Sequence, residues 1–233
     1  MRRTSVLVFM ALAMVALPIG SAFAAGWSIT AFGGGGVPTG DLADENKGNA
    51  KFGYQVGGAL DHAVNDMWTL GVDGSYVQNK NDLEGSTQSF SDLSDFDPSL
   101  SGSGDVTIDK FKYDTWQFGG HAKYMFPMQK SSMMPYGLVG LGVYNTKAKI
   151  EGTVTPTSGS PSNFTGEAKF DSRFGGKVGL GTMFRANDMI KLGLEADYNF
   201  ISEDKDKAPF ESAQYIGIKG MVSFNLAPSA AAK

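Results

Sequence analysis

The sequence predicts an all-β chain closed into an eight-stranded antiparallel up-and-down transmembrane β-barrel, and three observations predict it. Segment after segment alternates apolar with small or polar residues, a period of two that gives a strand one greasy and one polar face. The connectors alternate between short turns and long polar loops. Aromatic residues gather at both ends of the greasy face with smaller residues between them, as at the two interfaces of a membrane.

The elements follow in order. Arg2 and Arg3, the apolar run 6–17 and Ala22-Phe23-Ala24 form the pattern of a secretory signal peptide. This divides the chain into a signal peptide (1–24), a barrel domain (25–226) and a short periplasmic tail (227–233). No later run is long and apolar enough for a spanning helix, so strands must make any membrane crossing.

The first segment, 27–37, is Gly-rich and ends at Pro38-Thr39-Gly40-Asp41, a loop signal. The second, 52–60, puts Phe52, Tyr54, Val56 and Leu60 on one face, and the third, 68–77, does the same with Trp68, Leu70, Val72 and Tyr76. The fourth, 113–126, sets Trp116, Phe118, Ala122, Tyr124 and Phe126 against Gln117, His121 and Lys123. The fifth, 135–145, is apolar on both faces, which leaves its orientation open. The sixth, 173–184, opposes Phe174, Val178, Leu180 and Phe184 to Lys177 and glycines. The seventh, 190–200, is the clearest: Ile190, Leu192, Leu194, Tyr198 and Phe200 oppose Lys191, Glu195, Asp197 and Asn199. The eighth, 215–226, puts Ile216, Ile218, Val222, Phe224 and Leu226 opposite Lys219 and Ser223, and pairing it with the first closes the barrel and removes both edges.

Short turns are expected at 62–66, 127–133 and 185–188, and long polar loops at 38–51, 78–112, 146–172 and 201–213. This places both chain ends on the short-turn, periplasmic side. The expected inner aromatic belt holds Trp27, Trp68, Tyr124, Phe126, Tyr136, Phe184 and Phe224; the outer belt holds Phe52, Tyr54, Tyr76, Trp116, Tyr144, Phe174, Tyr198 and Phe200. A soluble barrel with its greasy face inward shares the alternation. It would crowd three tryptophans into a small interior and leave Gly71, Gly119, Gly193 and Gly217 outside, where they relieve nothing.

Composition narrows the chemistry. With no Cys, the chain has neither disulfides nor thiolate sites. Without Arg2 and Arg3, 18 basic residues face 24 acidic ones, a charge of about −6 that gives nucleic acid nothing to bind. Of the two histidines, His62 falls at a short turn and His121 points into the barrel, so no base stands at the outer mouth for lipid-modifying chemistry. Gly35 to Gly40 has the outer spacing of a phosphate-binding loop but offers Asp41 where that motif needs Lys. The acidic residues of 78–112 lack calcium-loop spacing. No catalytic residue, metal site or cofactor is predicted.

Parity gives the interior Asp73, Lys123, Lys177, Lys191, Glu195, Asp197 and Lys219. An eight-stranded barrel is just wide enough for side chains to fill, and buried charges must pair. Glu195 and Asp197 are expected between Lys177 and Lys219 in a salt-bridge plug; a narrow path for small solutes or ions is the alternative.

Three stretches carry a resemblance: Gly33-Gly-Gly-Gly-Val-Pro-Thr-Gly-Asp41, Met134-Pro-Tyr-Gly-Leu-Val-Gly-Leu-Gly142 and the terminal strand. In them the chain resembles the small outer-membrane β-barrel proteins, the superfamily that includes the transmembrane domain of outer membrane protein A. The resemblance implies a monomer in the outer membrane of a Gram-negative cell envelope. Its implied partners are outer-membrane lipid and lipopolysaccharide, the outer-membrane assembly machinery and a ligand at the extracellular loops. Such proteins often end on an aromatic residue; here Ala227–Lys233 follows Leu226, so Phe224 has to serve as an internal signal.

Overall fold

The computed structural model describes residues 26–95, 102–126, 128, 132–202 and 212–226. The expected signal peptide and the tail 227–233 lie outside the described residues. Among the described residues ten strands follow in chain order: β1 (Trp27–Thr39), β2 (Ala50–Ala63), β3 (Trp68–Asn81), β4 (Thr87–Phe90), β5 (Gly104–Met125), β6 (Met133–Pro156), β7 (Ser162–Lys169), β8 (Arg173–Arg185), β9 (Ile190–Ser202) and β10 (Ser212–Asn225). All the pairings are antiparallel.

Eight of them form the barrel in the order β5-β3-β2-β1-β10-β9-β8-β6, and β5 pairs with β6 to close the ring. The first and last strands are neighbours from Ser28 opposite Asn225 to Thr39 opposite Gln214. No barrel edge is left for another chain to pair with.

Two of the short turns repeat one local solution. Asn65 Oδ1 accepts the backbone N–H groups of Met67 and Trp68, and Asn187 Oδ1 accepts those of Met189 and Ile190. The sequence is Asn-Asp-Met in both places, and an Asn side chain that bonds its own backbone two residues on is a stable turn former.

At the opposite end, two expected loops are largely sheet. β5 runs 22 residues and β6 runs 24, far past the barrel rim, with β4 and β7 flanking them. The expected loops at 78–112 and 146–172 therefore contain a four-stranded sheet standing on the barrel. Their composition misleads because Ser, Gly, Thr and Asp are frequent while the alternation of Val106, Ile108, Ile150 and Val154 is diluted. A β-bulge between Ile108 and Lys110 also shifts the phase of β5 by one residue, so the period-two pattern breaks in the middle of the strand.

The greasy face points outward. Phe118, Leu141, Leu180 and Phe174 are 68–81% exposed, whereas the opposite face carries buried polar and charged groups. In water such an apolar girdle would be a large liability; in lipid it is the favourable arrangement.

Candidate functional site

The interior of the barrel is layered. Toward the long-connector end, Val77, Tyr113, Tyr144, Ile201 and Tyr215 pack with Leu42 into an apolar layer. Toward the short-turn end, Tyr136, Leu138, Met183 and Met221 form another, with Phe32 against it. Between them lies a charged network, each of whose members is at most 7% exposed.

Two clusters make up the network. In one, Asp61 on β2 accepts from Lys123 Nζ at 2.9 Å and meets His121 Nε2 at 2.7 Å, while Thr30 Oγ1 donates to it at 3.3 Å. The other ring nitrogen of His121 lies 2.8 Å from Asp73, which also accepts from Lys177 at 2.6 Å. In the second cluster, Lys219 lies 2.7 Å from Glu195 Oε1 and donates to Asp197 Oδ2 at 2.8 Å, and Tyr136 donates to Glu195 Oε2 at 2.7 Å. A doubly protonated His121 donates to both of its carboxylates and joins Lys123, Lys177 and Lys219 opposite four acids. Buried carboxylates and ammonium groups persist only with such partners.

Several sequence expectations need correction. Lys177 does not pair with Glu195 or Asp197 on the adjacent strand; it reaches Asp73 across the lumen. It passes over Gly140 of β6, where an added Cβ would sit 2.9 Å from Lys177 Cε. In so narrow a barrel, the partner across the lumen is as near as the strand neighbour. Tyr136 and Tyr144 leave the predicted aromatic belts: each is 1% exposed and points inward, Tyr136 to Glu195 and Tyr144 to Asn199. Both lie on the segment with two apolar faces, where Val139, Leu141 and Val143 take the outward side. Lys191 lies half-buried near the short-turn mouth, outside both clusters, and forms no ion pair among the described residues.

The remaining belt residues lie on the outward face. Trp68, Tyr124 and Phe126 stack edge to face on neighbouring strands, with Phe184 and Phe224 exposed at the same end. Trp27 packs on His62 at 4.6 Å. At the other end Tyr54, Tyr76 and Trp116 form a continuous aromatic row.

Asp61 is a network member that the sequence pattern does not announce. The second segment ends there at Leu60, because Asp61-His62 looks like the start of a turn. Continuing the parity of Gln55, Gly57 and Ala59 by one step puts Asp61 inside, so the signal was present. Gly71 is what admits it: a Cβ there would collide with Asp61 Oδ1 and His121 Nε2.

Above the Tyr76–Trp116 row the outward face becomes charged. Gln78, Asp114, Lys147 and Lys169 stand side by side across β3, β5, β6 and β7, and Lys80, Lys112, Lys149 and Glu167 form the next row up. Asp114, only 4% exposed, accepts from Tyr76 and Gln78, both at 2.6 Å, and lies 3.1 Å from Lys149. That carboxylate holds the Lys149 ammonium above the usual lysine range, and Glu151 does the same for Lys110 at 2.7 Å.

The outer membrane protein beta-barrel domain model matches residues 4–208 of this chain. The chain belongs to that family. It is a bacterial outer-membrane barrel, and the end bearing the long strands is the extracellular one. The fold is similar to that of Neisserial surface protein A, at 16% identity and a TM-score of 0.53, over 86% of this chain and 97% of that one. Ail, the attachment invasion locus protein of Yersinia pestis, aligns over 86% of this chain and 99% of its own at 14% identity, with a TM-score of 0.42. A major outer membrane protein of Thermus thermophilus aligns over 85% and 99% at 10% identity, with a TM-score of 0.43. No curated protein matches the sequence.

Proposed function

We propose that this chain is a closed outer-membrane barrel with a structural or surface-interaction role, which holds a sheet of long strands above the membrane for contact with the medium. Outer-membrane lipid and lipopolysaccharide are its immediate surroundings, the assembly machinery inserts it after export by its signal peptide, and any ligand meets it at the extracellular sheet and loops. It acts as a monomer, without catalysis, cofactor or nucleic acid.

The observation that carries the closed reading is the filled lumen. The space left among Thr30, Asp73, His121, Lys177, Glu195 and Lys219 is about 20 Å³, room for about one water molecule. Apolar clusters lie above and below it and narrow the lumen at both ends. Planar-bilayer conductance of the refolded protein tests this. Silence is expected; steady single-channel openings whose ion preference changes with Lys219→Glu would overturn the closed reading in favour of a narrow channel.

A further inference from the structure

We propose that the outward face of the extracellular sheet, at Lys112, Lys147, Lys149 and Lys169, binds the phosphates of an outer-leaflet lipopolysaccharide whose acyl chains lie on the apolar strand faces directly below. The proposal rests on the membrane-barrel reading and gives one of its lipid partners a place and a chemistry.

Three observations carry it. The first is a local excess of positive charge. In the two rows above the aromatic belt, Lys112, Lys147, Lys149 and Lys169 face Asp114 and Glu167, while Lys80 is paired with Glu84 at 3.0 Å. Asp114 lies 3.1 Å from Lys149 and 4.0 Å from Lys112, and Glu167 lies 3.4 Å from Lys169 and 3.9 Å from Lys147, so each acid is shared by two lysines and the positive charge stays in excess. On the β1–β2 connector, by contrast, Asp41, Asp44 and Glu45 outnumber Lys47.

The second is height. The rows stand two and four residues above Trp116, and each two-residue step along a strand is about 7 Å. Tryptophan and tyrosine mark the interface, so the lysines reach the level of lipid headgroups. Neighbouring strands lie about 4.8 Å apart, so the four lysines, on three adjacent strands, spread over about 10 Å across the sheet and about 7 Å along it, enough for more than one phosphate.

The third is continuity with an apolar surface. Directly below the patch on the same face lie Phe118, Leu141 and Phe174, among the most exposed apolar side chains of the molecule at 70–81%. A phosphorylated amphiphile would meet ammonium groups and greasy strands along a single line. Lysine serves here as a point charge for phosphate, and nothing in the patch offers the fixed fork that a carboxylate ligand would favour.

Native mass spectrometry of the mature barrel in maltoside micelles, titrated with bisphosphorylated lipid A, tests the site. Wild type and Lys47→Gln should bind alike. Lys112→Gln/Lys149→Gln should weaken binding by more than about tenfold, and Lys112→Arg/Lys149→Arg should keep it, since charge is retained. Dephosphorylated lipid A should bind wild type as weakly as lipid A binds the Gln variant, and millimolar inorganic phosphate should not displace lipid A. Equal binding by the Gln variant, equal binding of the two lipids, or displacement by free phosphate overturns the assignment while the folded barrel, checked by heat-modifiable migration, stands. A wild-type protein that stays folded and soluble without detergent overturns the barrel reading and this site together.

Discussion

Below the Tyr76–Trp116 row and above it, the same strands obey opposite rules. In the barrel, β5 and β6 turn Phe118, Leu141 and Val143 outward and His121 and Lys123 inward. Past the row they turn Lys112, Lys147 and Lys149 outward, while the inward-continuing face carries Val106 and Val154, buried with Leu93. The backbone is continuous; the solvent is not. Lipid outside a narrow, side-chain-filled lumen rewards apolar-out and paired-charge-in, and water outside a small sheet rewards the reverse. The same contrast separates two classes of ion pair: Lys219 with Glu195 and Asp197 is desolvated, whereas Lys110 with Glu151 is bathed in water.

The comparison breaks most visibly at Lys219. Lys219→Met leaves Glu195 and Asp197 without their cation, and urea unfolding from lipid vesicles should show a loss of about 3–5 kcal/mol. Replacing all three by apolar residues should recover much of it, because well-packed apolar groups commonly match a buried ionic cluster. Outward Leu194 stands near the middle of β9, so Leu194→Arg should cost about 2–4 kcal/mol in the same assay. Leu192→Arg, nearer the short-turn interface, should cost less, since the penalty falls with distance from the midplane. Gly71→Ala presses a methyl group onto Asp61 and His121 and should cost about 1–3 kcal/mol, read as a lower urea midpoint.

On the water side the effects should nearly vanish. Glu151 has its carboxyl held below the usual glutamate range by Lys110, so whatever the pair contributes is present above the unfolded-state value and lost as pH falls through the lower folded one. Full exposure screens that contribution, and acid-unfolding curves of wild type and Glu151→Gln should superimpose. A measurable gap between them would mean that the sheet is less solvated than its exposure implies.

The barrel was legible in the sequence wherever one environment lay on each side of a strand. β9 is the plainest case: every second residue from Ile190 to Phe200 is outward. Legibility failed where environments changed along a strand. Residues 104–112 of β5 looked like loop because the polarity inverts at the membrane boundary and the bulge at Ile108/Lys110 shifts the count. It failed again in β6, where Tyr136 is as apolar as the lipid face requires yet uses its hydroxyl inside. The members of the charged network were mostly readable by parity, but their partners were not, as Lys177 and Asp61 show.

The sequence by itself determined the barrel class, the pairing of the first and last strands and most of the charges that face inward, because period-two alternation is a local property of each strand. Only the tertiary structure decided which charge meets which, where the apolar clusters sit in the lumen, and that two barrel strands continue, flanked by two more, as a sheet into the medium. Those features depend on distances across a closed ring and on the level at which lipid gives way to water, and neither is encoded within a single strand.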